Sequence, residues 1–361
     1  MVLLRHEAQR NMIEFTRGNL FEAEVEALVN TVNTVGVMGK GIALQFSKSF
    51  PEILPAYKDA CESGEMAVGK VQVVELPLLG GMEGPKYVIN FPTKEHWRGK
   101  SKIEFIQSGL QSLRKEIEAR QIKSIAIPPL GCGLGGLNWG DVRHEIESAL
   151  CNVADVQIIV YEPAGKPAAK AMRTKTAKPK MTPGRAALLE LMRRYLVPLM
   201  DDAVTLLELH KLMYFMQEAG EELRLDFVKG KYGPYAKNLR HVLNAIEGHF
   251  VTGFGDASEE PGKVLEASGE AVQKAQSYLQ SKTETLGRFE RVDKLIDGFE
   301  TAYGMELLAS VHWVAKHEEQ PADSPEAAVK LIHEWNDRKR DSFGAQHVQV
   351  AWERLSGEGW L

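Results

Sequence analysis

Two glycine-rich loops in the first 140 residues have the composition of anion-binding loops. The first, NTVNTVGVMGKGIALQF, spans Asn30–Phe46, and the second, PPLGCGLGGLNW, spans Pro128–Trp139. Glycines let the backbone approach an anion closely, and free N–H groups at the start of a helix bind phosphate oxygens. Two such loops at one edge of a sheet would clamp a diphosphate.

Neither loop has the spacing of a P-loop or of the G-x-G-x-x-G dinucleotide fingerprint. Because tight turns also use glycine, one such loop alone indicates little. Each of the two lies between a predicted strand and a predicted helix, however. The pair therefore favours a phosphate-binding cradle over plain turns.

A lysine with basic neighbours follows the predicted strand KYVINF. It is Lys94, on the loop PTKEHWRGK, and His96, Arg98 and Lys100 come after it. An amine held among apolar and cationic groups has a lowered pKa and becomes nucleophilic. Spacing alone does not separate Lys94 from an ordinary surface lysine. We interpret the adjacent Glu95 as a solvated charge.

The cysteines and histidines form no catalytic or metal-binding pattern. Cys61, Cys132 and Cys151 fit neither a disulfide framework nor a zinc site, which indicates a reducing, cytoplasmic environment. Cys132 lies in the second glycine-rich loop without an evident base, so we interpret it as a small loop residue with an available backbone N–H. The histidines show no HExxH or other metal spacing, and we predict no metal site.

Strands and helices alternate through the first 163 residues. Segments with strand composition are Glu24–Asn33, Lys70–Pro77, Lys86–Phe91, Ser124–Pro129 and Val156–Glu162. Amphipathic stretches lie between them near Ile42–Ala60, Lys102–Arg120 and Asp141–Cys151. This alternation predicts a parallel or mixed sheet with helices on both faces, and ligand-binding loops at the carboxyl ends of the strands.

Length and charge predict two domains joined by a linker. The chain has 361 residues and a net charge of −5, which argues against a broad non-specific nucleic-acid binder. Residues 164–180 carry six basic and no acidic residues, and we interpret them as a solvated linker. Residues 1–11 are polar and basic and read as an extension before a domain at 12–163. No run of about 18 apolar residues occurs, so we expect no membrane partner.

The remaining segment, residues 181–361, has a net charge of −8 and mostly helical periodicity. The Gly and Pro residues of LDFVKGKYGPY, at Leu225–Tyr235, interrupt it and predict a short hairpin. The predicted helices are Arg185–Leu199, Thr205–Ala219, Ala236–Phe250, Val264–Gln280, Glu284–Phe299, Met305–Lys316 and Pro325–Trp335.

Residues Glu14–Pro163 resemble a macrodomain, an α/β fold that binds ADP-ribose. FTRGNLFEAEVEALVNTVN resembles the family's opening strand, loop and second strand, and the runs through MGKGIA and PPLGCGLGGL resemble its two ADP-ribose loops. Where many macrodomains read the adenine amino group with an aspartate, this chain has an asparagine whose amide oxygen can accept the same hydrogen bond. The resemblance implies an ADP-ribose site formed by Asn19, Leu20, Asn30, Gly39, Gly41, Ile42, Thr93, Gly131, Cys132, Gly133, Leu134, Gly135 and Gly136.

The resemblance also implies catalytic roles for Lys94 and Asn33. Related ADP-ribosyl hydrolases directed at DNA or glutamate place a catalytic lysine at the position of Lys94. Its amine would either attack the anomeric carbon of the distal ribose or stabilise charge while water attacks that carbon. Asn33 would lie beside that ribose. Relatives that carry an aspartate after GCGL pair it with the lysine, but Gly135 occupies that position here. Asn33 or a water would then have to complete the site.

More narrowly, NTVNTVGVMGKGIALQF followed by NFPTKEHWRGKS is similar to the macrodomain antitoxins that act on DNA. This similarity implies removal of ADP-ribose from thymidine bases of single-stranded DNA. Free ADP-ribose would be the product, and neither a metal nor a diffusible cofactor would be needed. A single strand already presents the unpaired base that a closed pocket requires.

The segment that begins LHKLMYFMQEAG and ends LRHVLNAI resembles the SocA-like, or Panacea-type, domain of bacterial and phage antitoxins. The resemblance implies that residues 181–361 bind and neutralise the partner toxin, a DNA ADP-ribosyltransferase. Such a toxin needs a basic channel for single-stranded DNA. An acidic helical domain is suited to occupy that channel as a mimic of DNA.

Two other functions stay open at this point. A macrodomain can read ADP-ribosyl marks without cutting them, and a hydrolase with this fold can act on ADP-ribosylated protein carboxylates or on acetylated ADP-ribose. Substituting Lys94 should separate the first from an enzyme, because turnover would be lost while ADP-ribose binding stayed.

Overall fold

The computed structural model describes residues 12–77, 84–163, 172 and 174–361. The predicted extension 1–11 and most of the predicted linker 164–180 lie outside the described residues. The chain divides into two units, Met1–Thr176 and Ala177–Leu361. The boundary between the units falls inside the segment 164–180.

The first unit is built on one six-stranded mixed sheet. Its elements in chain order are β1 (Met12–Thr16), β2 (Ala27–Asn33), α1 (Gly41–Ser49), α2 (Ile53–Glu62), β3 (Gln72–Glu75), β4 (Tyr87–Lys94), α3 (Ile103–Arg120), β5 (Ser124–Ile127), α4 (Trp139–Leu150) and β6 (Gln157–Tyr161). The strand order is β1-β6-β5-β2-β4-β3. Neighbouring strands are parallel except β3, which runs antiparallel to β4 at the edge. The predicted mixed sheet is confirmed.

Helices cover both faces of this sheet, because successive side chains of a strand point to opposite sides. In β2, Ala27 and Val29 pack with residues of α3 and α4, whereas Leu28 and Val32 pack with residues of α1 and α2. The central strand is therefore buried on both faces, which is why it reads as an almost continuous apolar run. Such a strand is held rigidly, and so are the residues at its carboxyl end.

Two local predictions for this unit need correction. The amphipathic stretch Ile42–Ala60 is two helices, because Pro51 has no backbone N–H to continue the first one. Strand composition also missed β1, whose five residues MIEFT pair with β6. Glu14 and Thr16 make this edge strand look polar, and only the family resemblance identified it.

The second unit is mainly helical. Its elements are α5 (Pro183–Leu199), β7 (Val204–Thr205), α6 (Leu206–Glu218), β8 (Phe227–Gly230), β9 (Gly233–Ala236), α7 (Leu239–Ile246), β10 (Val251–Thr252), β11 (Val264–Ala267), α8 (Gly269–Leu279), α9 (Thr283–Ile296), α10 (Ala302–Lys316), α11 (Pro325–Trp335), α12 (Asp337–Ser342) and α13 (Ala345–Gly357). Strands β8 and β9 form the predicted hairpin. Of the described helices, none is both long and apolar enough to cross a bilayer.

The predicted helix Val264–Gln280 is wrong over its first residues. Val264–Ala267 is strand β11, which pairs antiparallel with β7 and β10. The helix begins only after Ser268, whose hydroxyl accepts a hydrogen bond from the Ala271 N–H and caps it. Helices α12 and α13 were not predicted.

Candidate functional site

The predicted site segments meet at one edge of the first unit's sheet. Strands β1, β6, β5, β2 and β4 are mutually parallel, so their carboxyl ends lie together. Asn19 follows β1, the first glycine-rich loop follows β2, and the second follows β5. Thr93 and Lys94 are the last residues of β4. Segments more than 70 residues apart in sequence thus share one rim.

Lys94 and Asn33 are register partners on the adjacent strands β4 and β2, just past a shift in the strand register between Val32 and Asn33. The Lys94 Nζ donates a hydrogen bond to the backbone carbonyl of Leu134, 2.6 Å away in the second loop. Partial burial lowers the pKa of Lys94, and the nearby charge of Lys100 lowers it further. The amine therefore contacts the second glycine-rich loop, in an environment that makes its neutral form more accessible than that of an exposed lysine.

The side chain of Asn33 forms hydrogen bonds with the backbone of the first loop. Its Nδ2 donates to the Val37 carbonyl at 2.6 Å, and its Oδ1 accepts from the N–H groups of Val35 at 3.0 Å and Val37 at 3.4 Å. The Tyr57 hydroxyl donates to the Asn33 carbonyl at 2.8 Å. These bonds define the bend that carries the chain from β2 towards α1. The amide thus shapes the loop, and its part in catalysis stays a prediction.

Asn30, a predicted ADP-ribose contact, lies inside the sheet rather than at its surface. Its side chain is fully buried and donates to Asn90 Oδ1 at 2.9 Å, and Asn90 in turn donates to Gln72 Oε1 at 2.9 Å. This chain of amides crosses β2, β4 and β3. It accounts for buried polar residues in the middle of an apolar sheet. Contact between Asn30 and ADP-ribose stays a prediction.

The second loop is so tight that side chains do not fit at key positions. A Cβ at Gly135 would lie 2.2 Å from both the Gly131 carbonyl oxygen and Ser101 Oγ. Gly131 and Gly136 have φ angles of 71° and 80°, in the region that favours glycine. The absence of an aspartate after GCGL therefore follows from the loop's conformation, and a lysine–aspartate couple has no place here.

The backbone N–H of Cys132, predicted to be available to a ligand, already has a hydrogen-bond partner. Its N–H donates to the Pro129 carbonyl at 3.1 Å, because residues 129–132 close a turn. Burial raises the pKa of its thiol to about 11, so the thiol stays protonated at neutral pH. This agrees with its interpretation as a loop residue rather than a nucleophile.

The two loops approach each other through Leu134, whose side chain is 67% exposed. A Cβ at Gly41 would lie 3.7 Å from Leu134 Cδ1. Gly41 begins α1 with a φ of 62°, and Gly39 and Ile42 flank this helix start. The first N–H groups of a helix have no partner within it, so they are suited to bind phosphate oxygens. Gly133 has open space around it.

Asn19 caps a short 3₁₀ turn that begins at Leu20. Its Oδ1 accepts from the Phe21 N–H at 3.2 Å, and its Nδ2 donates to Glu22 Oε1 at 3.1 Å. An amide oxygen accepts two hydrogen bonds, so one lone pair stays for an adenine amino group. Leu20 is the first residue of the turn, and its N–H has no partner inside it.

Sequence reasoning missed three residues that shape the site. Tyr57 holds Asn33 from α2. Thr34 donates to the Glu95 carbonyl through its N–H at 3.2 Å and its hydroxyl at 2.7 Å. Ser101 is buried, and its hydroxyl has no hydrogen-bond partner in the described part of the chain. A tyrosine in an amphipathic helix and single hydroxyl residues carry no sequence signal of such roles.

The chain is similar to known proteins with a macrodomain. Residues 29–146 match the Macro domain family. A DNA ADP-ribosyl glycohydrolase of Thermus aquaticus is 43% identical over 350 residues, 97% of this chain and 94% of the relative. The solved macrodomain of Mycobacterium tuberculosis DarG is 50% identical, with a TM-score of 0.41, and the match covers 42% of this chain and 99% of that one.

A further relative, from Thermosipho africanus, is a DNA ADP-ribosyl transferase–DNA ADP-ribosyl glycohydrolase fusion protein. It is 37% identical over 166 residues, which are 43% of this chain and 42% of the fusion protein. The Thermus aquaticus match, by contrast, extends through both units. Because that identity covers nearly the full length of both proteins, the chain belongs to the DNA ADP-ribosyl glycohydrolase family.

Proposed function

We propose that this protein removes ADP-ribose from thymidine bases of single-stranded DNA by hydrolysing the N-glycosidic bond. The observation that carries the proposal is the position of Lys94, which pairs with Asn33 in the strand register and whose amine lies 2.6 Å from the Leu134 carbonyl oxygen. The name of the full-length Thermus aquaticus relative supports DNA as the substrate class.

In this proposal ADP-ribose lies along the rim formed by the strand ends. The adenine binds at Asn19 and Leu20, and the diphosphate lies between the start of α1 and the second loop. The distal ribose then lies next to Lys94, with Asn33 holding the first loop in place. The bond to be broken joins the distal ribose of ADP-ribose to the thymine base. Only an unpaired base can bring that bond to Lys94, which agrees with a single-stranded substrate.

The reaction breaks the bond between the anomeric carbon of the distal ribose and the thymine nitrogen. The bonding electrons go to that nitrogen, which takes up a proton, and the anomeric carbon bonds either to water or to the Lys94 amine. An adduct on Lys94 would then be hydrolysed by water. A neutral amine can donate one N–H to the Leu134 carbonyl and still present its lone pair, and the lowered pKa makes that form more accessible than in an exposed lysine.

The test compares two substrates. The full-length protein is incubated with a single-stranded oligonucleotide that carries ADP-ribosyl thymidine and with a peptide that carries ADP-ribosyl glutamate. We expect free ADP-ribose and unmodified DNA from the oligonucleotide and much slower release from the peptide. Binding of ADP-ribose without release from either substrate would instead identify a reader of the mark.

For the second unit we propose a SocA-like, or Panacea-type, domain, since the residues of the resembling motif contact one another. The Lys211 Nζ of α6 donates to the Pro234 carbonyl of the hairpin at 2.7 Å. His210 stacks on Tyr235 with ring centroids 4.5 Å apart, and its Nδ1 accepts from the Ala236 N–H. The motif thus joins α6 to the hairpin, as expected of a sequence signature that specifies a fold.

We further propose that this unit neutralises the DNA ADP-ribosyltransferase toxin DarT by binding it, in the manner of a DNA mimic. The net charge of −8 over residues 181–361 and the fused relative support this partner. Buried carboxylates cannot contribute, since Glu306, for example, is bound by Arg338 and Lys339. The mimic must therefore use the exposed acidic residues.

This second role is testable in the absence of hydrolysis. Lys94→Ala protein should release ADP-ribose at least 100-fold more slowly than the wild type, so strong protection of DNA from DarT in its presence reports binding of the toxin. We expect stoichiometric inhibition of the transferase by this variant. Full transferase activity in the presence of excess variant would exclude direct neutralisation.

A further inference from the structure

The segment that follows Lys94 is fixed at both ends to the glycine-rich loops. At its start, the Glu95 carbonyl accepts two hydrogen bonds from Thr34 of the first loop. At its end, the Ser101 N–H donates to the Gly135 carbonyl of the second loop at 3.1 Å. Between them, the Gly99 N–H donates to the His96 carbonyl and closes a turn. This turn, residues 95–101, therefore spans the mouth of the candidate site.

Trp97 lies on this turn, and its side chain is exposed. It is 45% exposed, with the Arg98 guanidinium 4.4 Å from its ring centroid and the His96 ring stacked on it at 5.2 Å and 28°. An indole is large and apolar, and its exposure on a structured turn needs an explanation. The hydrogen bonds that fix the turn keep the indole at the rim of the site.

Other exposed apolar side chains lie on the segments that form the same rim. In the described part of the first unit, the large hydrophobic residues that are strongly exposed are Val35, Val37, Trp97 and Leu134. All of them belong to the two glycine-rich loops or to the turn after Lys94. Exposed apolar groups concentrated around one site mark a binding surface for a ligand with apolar faces.

The charge around this rim is positive although the whole chain is acidic. Without counting Lys94, residues 95–102 contain three Lys or Arg residues and one acidic residue, in a chain whose net charge is −5. Exposed aromatic rings interleaved with cations are the chemistry that binds single-stranded nucleic acid, because bases stack on the ring and phosphates pair with the cations.

We propose that Trp97 is a stacking platform for the nucleobase next to the ADP-ribosylated thymidine, with Arg98 holding the adjacent backbone phosphate. The inference rests on the proposed function, since it assigns the part of the DNA that lies outside the ADP-ribose site. The exposed part of the indole receives the neighbouring base, and the modified thymidine then projects towards Lys94. Recognition extends beyond ADP-ribose to at least one flanking nucleotide.

The test measures how much the flanking nucleotides contribute. For the full-length protein, kcat/KM is determined on ADP-ribosyl thymidine as a nucleoside and on the same group within a short single-stranded oligonucleotide. In the wild type, we expect the oligonucleotide to be favoured by at least tenfold. Trp97→Ala should lose most of that preference, roughly tenfold for one stacked base. Trp97→Phe, which keeps a ring, should retain most of it.

A surface arginine on α3 provides the matched control for Arg98→Ala. Arg114 pairs with Glu118 one helical turn away, so Arg114→Ala removes the same charge elsewhere and should leave the preference as in the wild type. Arg98→Ala should reduce the preference and its dependence on salt. If Trp97→Ala keeps the full preference, or if Trp97→Phe loses as much as Trp97→Ala, the platform is refuted.

Failure of the proposed function is separable from failure of the platform. If the wild type cleaves neither substrate, the hydrolase proposal fails, and the platform is judged by the Kd for an unmodified thymidine-containing oligonucleotide at fixed salt. About tenfold weaker binding by Trp97→Ala, with Trp97→Phe close to the wild type, would uphold it. Equal binding by all three proteins would overturn it.

Discussion

Lys94 and Asn33 face each other across adjacent parallel strands, and each is bonded to a different glycine-rich loop. The Asn33 amide holds Val35 and Val37 of the first loop, and the Lys94 amine holds the Leu134 carbonyl of the second. The two strand ends thus position both sides of the candidate site. A change at Asn33 should affect the whole first loop, because three hydrogen bonds join its amide to that loop, whereas Lys94 makes one hydrogen bond to the second.

Asn33→Ala should weaken ADP-ribose binding, because the first loop loses the bonds to Val35 and Val37. We expect a loss of roughly 1–3 kcal/mol in binding free energy, measured by calorimetric titration. Tyr57→Phe is the control, since it removes the single hydroxyl that donates to the Asn33 carbonyl and Oδ1 and should cost about 1 kcal/mol or less. Wild-type affinity in Asn33→Ala would show that the loop holds its conformation without the amide.

Gly135→Asp, which installs the aspartate that other hydrolases carry, should damage the site rather than improve it. A Cβ at this position would meet the Gly131 carbonyl and Ser101 Oγ at 2.2 Å, so the loop must move. We expect a loss of stability of roughly 1–3 kcal/mol in chemical denaturation, together with weaker ADP-ribose binding.

Gly133→Ala is the control for stability, because no atom lies within 4 Å of its added Cβ. Its denaturation midpoint should stay close to that of the wild type. A Gly135→Asp protein as stable as Gly133→Ala would mean that the second loop adapts to a side chain at this position.

The pH profile of single-turnover hydrolysis should report the protonation of Lys94. Burial, and then Lys100, lowers the pKa of this amine, so its neutral form appears at a lower pH than for an ordinary lysine. If its lone pair attacks, the rate rises with pH up to that lowered pKa and then levels off. Lys100→Met removes the positive neighbour and should shift the rise to higher pH. A rate that falls with pH would instead indicate that Lys94 acts as a cation.

In the buried ion cluster of the second unit, removing the carboxylate should cost more folding stability than removing the lysine amine. Glu306 accepts from Lys339 at 2.9 Å and from Arg338 at 2.6 and 2.9 Å, and the Lys339 side chain is fully buried. Glu306→Ala leaves a buried ammonium without its anion and should cost about 3–5 kcal/mol. Lys339→Met leaves Glu306 paired with Arg338 and should cost less. Calorimetric unfolding checks the order, and the reverse order would contradict this interpretation.

The sequence predicted the edge of the sheet at which the candidate site residues meet, because that prediction depends on local signals. Apolar strands followed by glycine-rich loops specify where each segment ends, and parallel pairing brings those ends together. The family resemblance added the special status of Lys94, which spacing could not supply. Its contact with Leu134 depends on two segments 40 residues apart.

What the sequence could not predict depends on non-local contacts. Val264–Ala267 looks helical by periodicity but becomes a strand, because it pairs with Val204 and Thr205 some sixty residues earlier. In the same way, the position of Asn33 at the start of the first loop depends partly on Tyr57 from α2, whose hydroxyl donates to the Asn33 carbonyl. Side-chain partners of this kind have no periodic pattern, and only the folded structure identifies them.

The central claim is that Lys94 carries the hydrolysis of ADP-ribosylated DNA, and one experiment tests it most directly. Wild-type and Lys94→Ala proteins are compared for single-turnover release of ADP-ribose from an ADP-ribosyl thymidine oligonucleotide and for ADP-ribose binding by calorimetry. The account predicts release by the wild type, a loss of at least 100-fold in the variant, of the order expected when a catalytic group is removed, and ADP-ribose affinity within a few-fold of the wild type. Equal release by both proteins would contradict it.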